Sequence, residues 1–422
     1  MLKDKKILIG VTGSIAIYKT LELIRLLIKQ NAQVKVIMSP SAKKFITPLT
    51  FETISQNCVL DDSNEDWSTQ SINNHISVGK WADLFVLAPC TANTINKLSN
   101  GIADNILLQT ALAYPRVKLL CAAANTNMLQ NPLTKASLKM LKLCNFKLIE
   151  PTTKELACQD VGKGAMAEVN DIYAAIAMQL LQDDYWRDRK VVISGGGTIE
   201  KIDDVRYISN FSSGKMAKAM ATALTYRGAD VCLVTTNTDL GDIPSTIHTI
   251  QVQDSLEMQQ FLDDALRIAK KGKMSSPTLM DNSQPTLIQK KPYLFMVAAV
   301  SDFVPKFPQE GKLKKSDIGD TWNLELKQNT DILSSLDKND LFCVGFKAEM
   351  DKDQAKNNAK MMLENKNLDA VCLNILDHNN TFGSSTNSIE LITKNDERVF
   401  DTNSKLEISL NVIDALSQEY KD

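Results

Sequence analysis

Aliphatic and β-branched runs alternate with stretches of helical spacing through the first part of the chain. Lys6–Val11, Gln33–Met38, Leu84–Ala88, Val117–Ala124 and Phe146–Ile149 read as strands. Between them, Ala16–Gln30, Ala92–Leu98 and Pro132–Cys144 place apolar residues at helical intervals. Such alternation predicts a parallel sheet with helices on both faces, and ligands at the carboxyl ends of its strands. A second αβ series starts after the charged stretch Gln182–Lys190. Strand Lys190–Ser194 runs into Gly195–Gly197, followed by helix Lys215–Arg227 and strand Asp230–Thr235. Tyr293–Ala299, Leu341–Phe346 and Ala370–Leu373 are later strand candidates. The restart puts the boundary at 182–189, with expected domains 1–189 and 190–422. Residues 272–291 are polar, hold two prolines and lack periodicity, so a mobile surface insertion is expected there.

Composition narrows the class. A chain of 422 residues, 44% hydrophobic, can bury a core in each of two or three domains. Its 48 basic and 50 acidic residues leave a net charge of −2, without the basic footprint of a nucleic-acid binder. No apolar run reaches the roughly 18 residues needed to span a bilayer. The N-terminus enters a strand pattern at once, so no signal peptide is expected and the protein is read as cytoplasmic. Eight cysteines form no CxxC pair and there are three histidines, which argues against zinc. Cys90, Cys121, Cys232 and Cys372 lie in or beside apolar runs and are expected as buried thiols.

The first strand delivers Gly10-Val-Thr-Gly13-Ser14-Ile15-Ala16 into a helix. Gly13 permits a tight turn, Ser14 offers a hydroxyl, and a helix N-terminus suits a phosphate. The GxGxxG dinucleotide spacing is absent, so a mononucleotide such as FMN fits better. Two more strands end in Ser39-Pro-Ser41 and Ala88-Pro-Cys90-Thr91-Ala92-Asn93-Thr94, whose polar groups would converge on one crevice. His75, Asn125 and Cys158 also stand in polar or glycine-containing loops: Asn74-His75-Ile76-Ser77, Ala124-Asn125-Thr126-Asn127-Met128, and Ala157-Cys158 leading to Gly162-Lys-Gly164-Ala-Met166-Ala-Glu168.

Together these motifs resemble the flavin-containing cysteine decarboxylases, of the phosphopantothenoylcysteine type, over residues 5–180. The resemblance implies a flavodoxin/Rossmann-like flavoprotein domain that binds FMN through Gly13, Ser14, Ile15, Ser39, Thr91, Ala92, Asn93 and Thr94. It also implies that His75 assists oxidation of the substrate thiol, Asn125 holds the substrate carboxylate, and Cys158 returns a proton to the enethiol. A plain cysteine carboxylate has no electron sink for loss of CO2; thiol oxidation supplies one, and the flavin then returns the electrons. Departures from the family pattern are Gln159, Ala165 and Leu129, so the loop closing over substrate is expected to differ in stiffness and contacts.

In the second half, Gly195-Gly196-Gly197-Thr198 can wrap phosphate with backbone N–H groups, and Ser212-Ser213-Gly214-Lys215 opens a helix. The Walker spacing is missing. Asp203, Arg206 and Asn210 lie between these turns. Strand Tyr293–Ala299 leads to Asp302, and Lys312-Leu-Lys314-Lys315 follows. These blocks, with Asn329-Thr330-Asp331-Ile332, resemble phosphopantothenate–cysteine ligases. A Rossmann-like (ribokinase-like) three-layer α/β/α domain is implied, as for the first half.

By resemblance this domain activates a phosphopantothenate carboxylate with CTP as an acyl-cytidylate, which cysteine then attacks. Asn210 would act on that intermediate and Lys312 on nucleotide phosphate. Met296, Val297, Ala298, Asp302, Thr330, Asp331, Ile332, Leu333, Phe346 and Lys366 match nucleotide-contact positions, with Mg²⁺ expected at the pyrophosphate; no metal ligands are assigned. Thr330 in place of the family proline is expected to loosen a turn. Met362 stands where a lysine is usual, and Lys360 could replace it by a helix adjustment. The whole would be a bifunctional enzyme of coenzyme A biosynthesis making 4′-phosphopantetheine, a homo-oligomer with a trimeric decarboxylase core and dimeric ligase, a dodecamer. Its partners are small molecules: phosphopantothenate, cysteine and CTP. The alternatives are a non-catalytic flavin-binding regulatory protein on the same scaffold, or another flavin-binding transferase of this fold.

Overall fold

The computed structural model describes residues 1–68, 73–155, 161–275, 279, 284–314, 321–376 and 383–420. They divide into two compact units, Met1–Leu181 with Ser275–Thr286, and Gln182–Met274 with Leu287–Asp422. Trp186 and Arg189, in the stretch expected to separate the domains, are buried within the second unit. The Trp186 indole N–H donates to the Ile413 carbonyl at 3.1 Å, and the Arg189 guanidinium lies 4.0 Å over the Tyr185 ring. Ser275–Thr286, part of the expected insertion, groups with the first unit, where the Leu279 N–H donates to the Leu143 carbonyl at 3.0 Å.

In the first unit, β1 (Lys6–Val11), β2 (Gln33–Met38), β3 (Leu84–Cys90), β4 (Lys118–Ala122) and β5 (Phe146–Ile149) form a five-stranded sheet of order β2-β1-β3-β4-β5. All four neighbouring pairs are parallel. Strands covered on both faces need not alternate polar and apolar residues, and β3 is buried at every position. Leu8, Phe85 and Leu87 join Val78, Ile95, Leu98, Ile106 and Leu141 in one core layer under helices His75–Trp81, Ala92–Ser99, Ile106–Ala113 and Pro132–Leu143. Helices Ile17–Lys29 and Val169–Leu181 cover the sheet from their own paired layer. A hairpin of β6 (Thr152–Glu155) and β7 (Val161–Ala165) brackets residues 156–160.

The second unit is built on eight strands. In chain order its elements begin with β8 (Lys190–Gly195), a small pair β9 (Ile199–Lys201) and β10 (Tyr207–Ser209), then β11 (Asp230–Thr235) and β12 (His248–Gln251). Two short pairs follow: β13 (Lys273–Met274) with β14 (Leu287–Ile288), and, after β15 (Tyr293–Met296), β16 (Phe303–Pro305) with β17 (Leu326–Gln328). The chain ends through β18 (Phe342–Glu349), β19 (Ala370–Ile375), β20 (Thr386–Thr393) and β21 (Glu397–Ser404). The sheet order is β12-β11-β8-β15-β18-β19-β20-β21, parallel as far as β19 and antiparallel from β19 to β21. Helices Ser255–Ala269 and Lys352–Asn365 bury Met258, Leu262, Ala355, Ala359 and Leu363 on one face. Helices Lys215–Tyr226 and Lys405–Glu419 pair on their own layer. Strand β15 stops at Met296, short of the expected Ala299, because the chain leaves the ladder and Ala299 bridges Gly197 instead. Among the described residues, no helix is long and apolar enough to cross a membrane.

Candidate active sites at the strand ends

The first site sits where β1, β2, β3 and β4 end. Thr12 ties two of these ends together: its hydroxyl donates to the Pro89 carbonyl at 2.7 Å and accepts the Thr91 N–H at 3.0 Å. Thr91 then caps helix Ala92–Ser99 by accepting from Thr94 N–H, which aims the helix N-terminus at the crevice. Gly13 is required for the close approach, since a Cβ there would lie 2.6 Å from Ser41 Cβ. The result is a cavity of about 540 Å³ lined by Gly13, Ser14, Ser39, Thr91, Ala92, Asn93 and Thr94. Ser39 Oγ is buried there without a hydrogen-bond partner, a vacancy that a polar ligand oxygen would fill. Ile15, expected in the same set, is 58% exposed and not part of the lining. Sequence reading missed Lys97, Asp104 and Met128, which also line the cavity. Lys97 pairs with Asp104 across the loop after its own helix, a pairing no motif announces.

Asn125 caps the short helix Thr126–Gln130, accepting from Asn127 N–H at 2.9 Å. Its neighbour Ala124 lines the cavity and donates its N–H to Gly164 at 3.1 Å, so β7 lies directly against the Asn125 loop. Cys158 and Gln159 fall outside the described residues, within the segment this hairpin carries. Glu168 fastens the hairpin's base, with Lys154 at 2.6 Å and Lys19 at 3.2 Å. The Lys154 hydrogen bond, more than any other influence, holds the Glu168 carboxyl below its usual range. Leu129, the departure after the NxNM methionine, is buried in the core layer. His75 opens helix His75–Trp81 and is not in the cavity lining; its Nδ1 lies 2.7 Å from Glu65 Oε1. Burial pushes the Cys90 and Cys121 thiols well up, so both stay protonated core groups. Cys232 is half-buried, not buried as expected, because it lies on the strand next to the sheet edge.

The second site lies at the ends of β8, β15 and β18. Ser194 holds two of them, its hydroxyl accepting Val297 N–H and Ala298 N–H, each at 3.1 Å. Val297, Ala298 and Phe346 line a cavity of about 220 Å³ with Gly196, Ser212, Ser213 and Gly214. Gly214 takes φ of 67°, which lets the chain turn into helix Lys215–Tyr226 without a side-chain cap. Lys215, Lys347 and Lys405 add three ammonium groups. Burial first, then the Lys215 ammonium, push Lys405 below an ordinary lysine, and a bound anion would relieve that. Lys347, Asn387 and Lys405 carried no sequence signal: Lys405 belongs to no glycine loop and is brought in by the last helix.

The other expected nucleotide residues are not in this lining. Met296, Ile332 and Leu333 are buried in the apolar core, so only their backbones can meet a ligand. Asp331 caps its short helix and pairs with Lys366 at 2.7 Å. Although burial opposes it, that lysine and Ser334 hold Asp331 below the usual carboxyl range. Thr330, expected to loosen its turn, donates its N–H to Asn329 Oδ1 at 2.9 Å, a bond proline cannot make. Asn329 also donates to the Asp302 and Ser301 carbonyls, both at 2.8 Å. Lys360 does not replace a lysine at 362; it pairs with Glu397 at 2.6 Å while Met362 packs on the core. Asn210 donates to the Val300 carbonyl at 3.0 Å. Lys312 is exposed, on a loop held by Asp203, which accepts Leu313 N–H at 3.2 Å, and by Arg206, which donates to the Leu313 carbonyl at 2.7 Å. Lys315 lies outside the described residues.

Residues 1–181 match the Flavoprotein family, and 186–274 with 269–420 match the DNA/pantothenate metabolism flavoprotein C-terminal domain. That combination defines a two-domain α/β flavoprotein of pantothenate metabolism. The chain is 35% identical over 424 residues to the coenzyme A biosynthesis bifunctional protein CoaBC of Haemophilus influenzae, covering 100% of this chain and 99% of that one. The Bacillus subtilis protein of the same name is 34% identical over 423 residues, covering 99% and 98%. A solved C-terminal domain of a CoaBC protein is 23% identical, covers 56% of this chain and 98% of its own, and gives a TM-score of 0.42. The chain belongs to the bifunctional coenzyme A biosynthesis protein family. It is an enzyme with phosphopantothenoylcysteine decarboxylase and phosphopantothenate–cysteine ligase activities.

Proposed function

We propose that the second unit uses CTP to join 4′-phosphopantothenate to cysteine, and that the first unit uses FMN to decarboxylate the product. The observation that carries this reading is the pair of separate strand-end crevices, one with an orphaned Ser39 hydroxyl and one with three lysines. In the second, a carboxylate oxygen attacks the α-phosphorus of CTP and the bond to pyrophosphate breaks. Cysteine nitrogen then attacks the acyl carbon, the bond to CMP breaks, and the amine gives up a proton. Lys215, Lys347, Lys405 and Lys312 offset the charge on the departing phosphates, with Lys366 and Asp331 flanking the nucleotide. Asn210 holds the acyl-cytidylate. Mg²⁺ would ride on the nucleotide phosphates, where it needs few protein ligands.

In the first unit the FMN phosphate fits the Gly13–Ser14 turn and the Ser39 hydroxyl, with Thr91–Thr94 beside it. FMN supplies a two-electron acceptor that later returns the pair. Asn125 binds the substrate carboxylate through its side chain. His75 takes the thiol proton, and Cys158 delivers a proton to the enethiol after CO2 has left. This reading includes a cytoplasmic enzyme assembled from trimeric first units and dimeric second units. The test is the purified protein's visible spectrum and CO2 release from 4′-phosphopantothenoylcysteine without CTP. A flavin band and CO2 are expected; a colourless protein that cannot be reconstituted with FMN contradicts the reading.

A further inference from the structure

Glu65 returns its carboxylate to the imidazole of His75, ten positions later in the chain. Glu65 Oε1 lies 2.7 Å from His75 Nδ1 and accepts the His75 backbone N–H at 3.2 Å. The loop that brings them together is tied by its own side chains. Asp66 N–H donates to the Asn73 carbonyl at 2.9 Å, and Asn73 Nδ2 donates to the Asn64 carbonyl at 2.9 Å. Trp67 meets the imidazole edge-on, with ring centroids 5.2 Å apart at 74°. The two side chains are 20% and 22% exposed, so water screens the pair only in part. Burial would raise a carboxyl here, yet the hydrogen bonds from His75 outweigh it and hold Glu65 below its usual range. An ionised carboxylate only accepts, so Nδ1 carries its hydrogen and Nε2 is the nitrogen that can take another proton.

We propose that Glu65 is a positioning residue for decarboxylation: it locks the His75 ring through Nδ1–H and presents Nε2 to the substrate thiol. This rests on the reading of His75 as the group that takes the thiol proton. Other ionisable groups near the helix are engaged elsewhere or belong to its far end. Asp62 accepts Ile106 N–H at 2.8 Å, Asp66 accepts from Ser68, Lys80 lies in the helix's last turn, and Lys6 starts β1. The helix Ile106–Ala113 packed alongside contains no ionisable residue. The charge paired with the ring is that of Glu65.

Glu65→Gln keeps an accepting oxygen and removes the charge. A neutral amide oxygen accepts from Nδ1–H less strongly than a carboxylate does, so the hold on the ring weakens. Decarboxylase kcat is expected to fall on the order of 10-fold to 100-fold with KM little changed. The chain has three histidines, so ¹³C-histidine labelling can follow His75 directly, assigned by its absence in His75→Asn. That signal should place the hydrogen on Nδ1 in the parent protein, and Glu65→Ala should lose that preference. Glu65→Ala, the second variant, should lose activity and regain part of it with added formate. A His75 ring with its hydrogen on Nε2 in the parent, an unchanged kcat in Glu65→Gln, or no formate response in a Glu65→Ala protein that still holds FMN, would overturn the proposal. Full decarboxylation by His75→Asn would instead remove the reading of His75 on which it rests.

Discussion

Gly162 faces Thr126 so closely that a Cβ at 162 would lie 2.2 Å from Thr126 Oγ1. The hairpin strand β7 thereby sits against the loop of Asn125, beside the cavity that Ala124 lines. Gly162→Ala must push that strand away, at a cost of about 1–3 kcal/mol. Decarboxylation should fall by about 5-fold to 150-fold where that cost weighs on the active arrangement, since 1.4 kcal/mol is tenfold in rate. CMP release by the second unit should be unaffected, and parallel CO2 and CMP assays check both.

The salt link of Glu168 to Lys154 and Lys19 should make hairpin docking sensitive to acid. Its carboxyl is held below the unfolded value, so the link contributes fully above the ordinary glutamate range. The contribution is lost as pH falls through the lowered value. Hydrogen-exchange protection factors in β6 and β7, which divide out the intrinsic pH dependence, should therefore fall in acid more than those in β3. Glu168→Gln should show the lower protection already at neutral pH.

Asn210 reaches the Val300 carbonyl at 3.0 Å, beside the glycine turn. Asn210→Ala should lower 4′-phosphopantothenoylcysteine synthesis by about 100-fold or more. FMN content and decarboxylation of supplied 4′-phosphopantothenoylcysteine should stay at the parent level.

Lys366 and Lys360 are near in sequence and differ in partner. Lys366 pairs with Asp331, and Lys360 with Glu397. Lys366→Ala should raise the KM for CTP about ten-fold, whereas Lys360→Ala should leave it unchanged. Thermal midpoints should move little for both, because half-exposed ion pairs contribute about 0–1 kcal/mol.

The sheets were legible because their central strands are buried on both faces and therefore read as unbroken apolar runs, as Leu84–Cys90 does. The antiparallel end of the second sheet was not, since β21 alternates toward solvent and Glu397–Ser404 looks like a polar loop. The turns at Gly13 and Gly214 announced themselves through glycine. Tertiary gifts did not: Lys405 and Lys347 reach their cavity only through packing, and Glu65 stands in no motif. Met362 was marked as a departure, yet its burial and the engagement of Lys360 by Glu397 depend on which helix face meets the core.

The account stands most directly on one mixture: purified protein, 4′-phosphopantothenate, cysteine, CTP and Mg²⁺, with CMP, CO2 and 4′-phosphopantetheine followed together. CMP should appear first, CO2 should follow in equal final amount, and omitting CTP should abolish both. CO2 from cysteine without CTP, or CMP with no CO2 from a protein loaded with FMN, would contradict it.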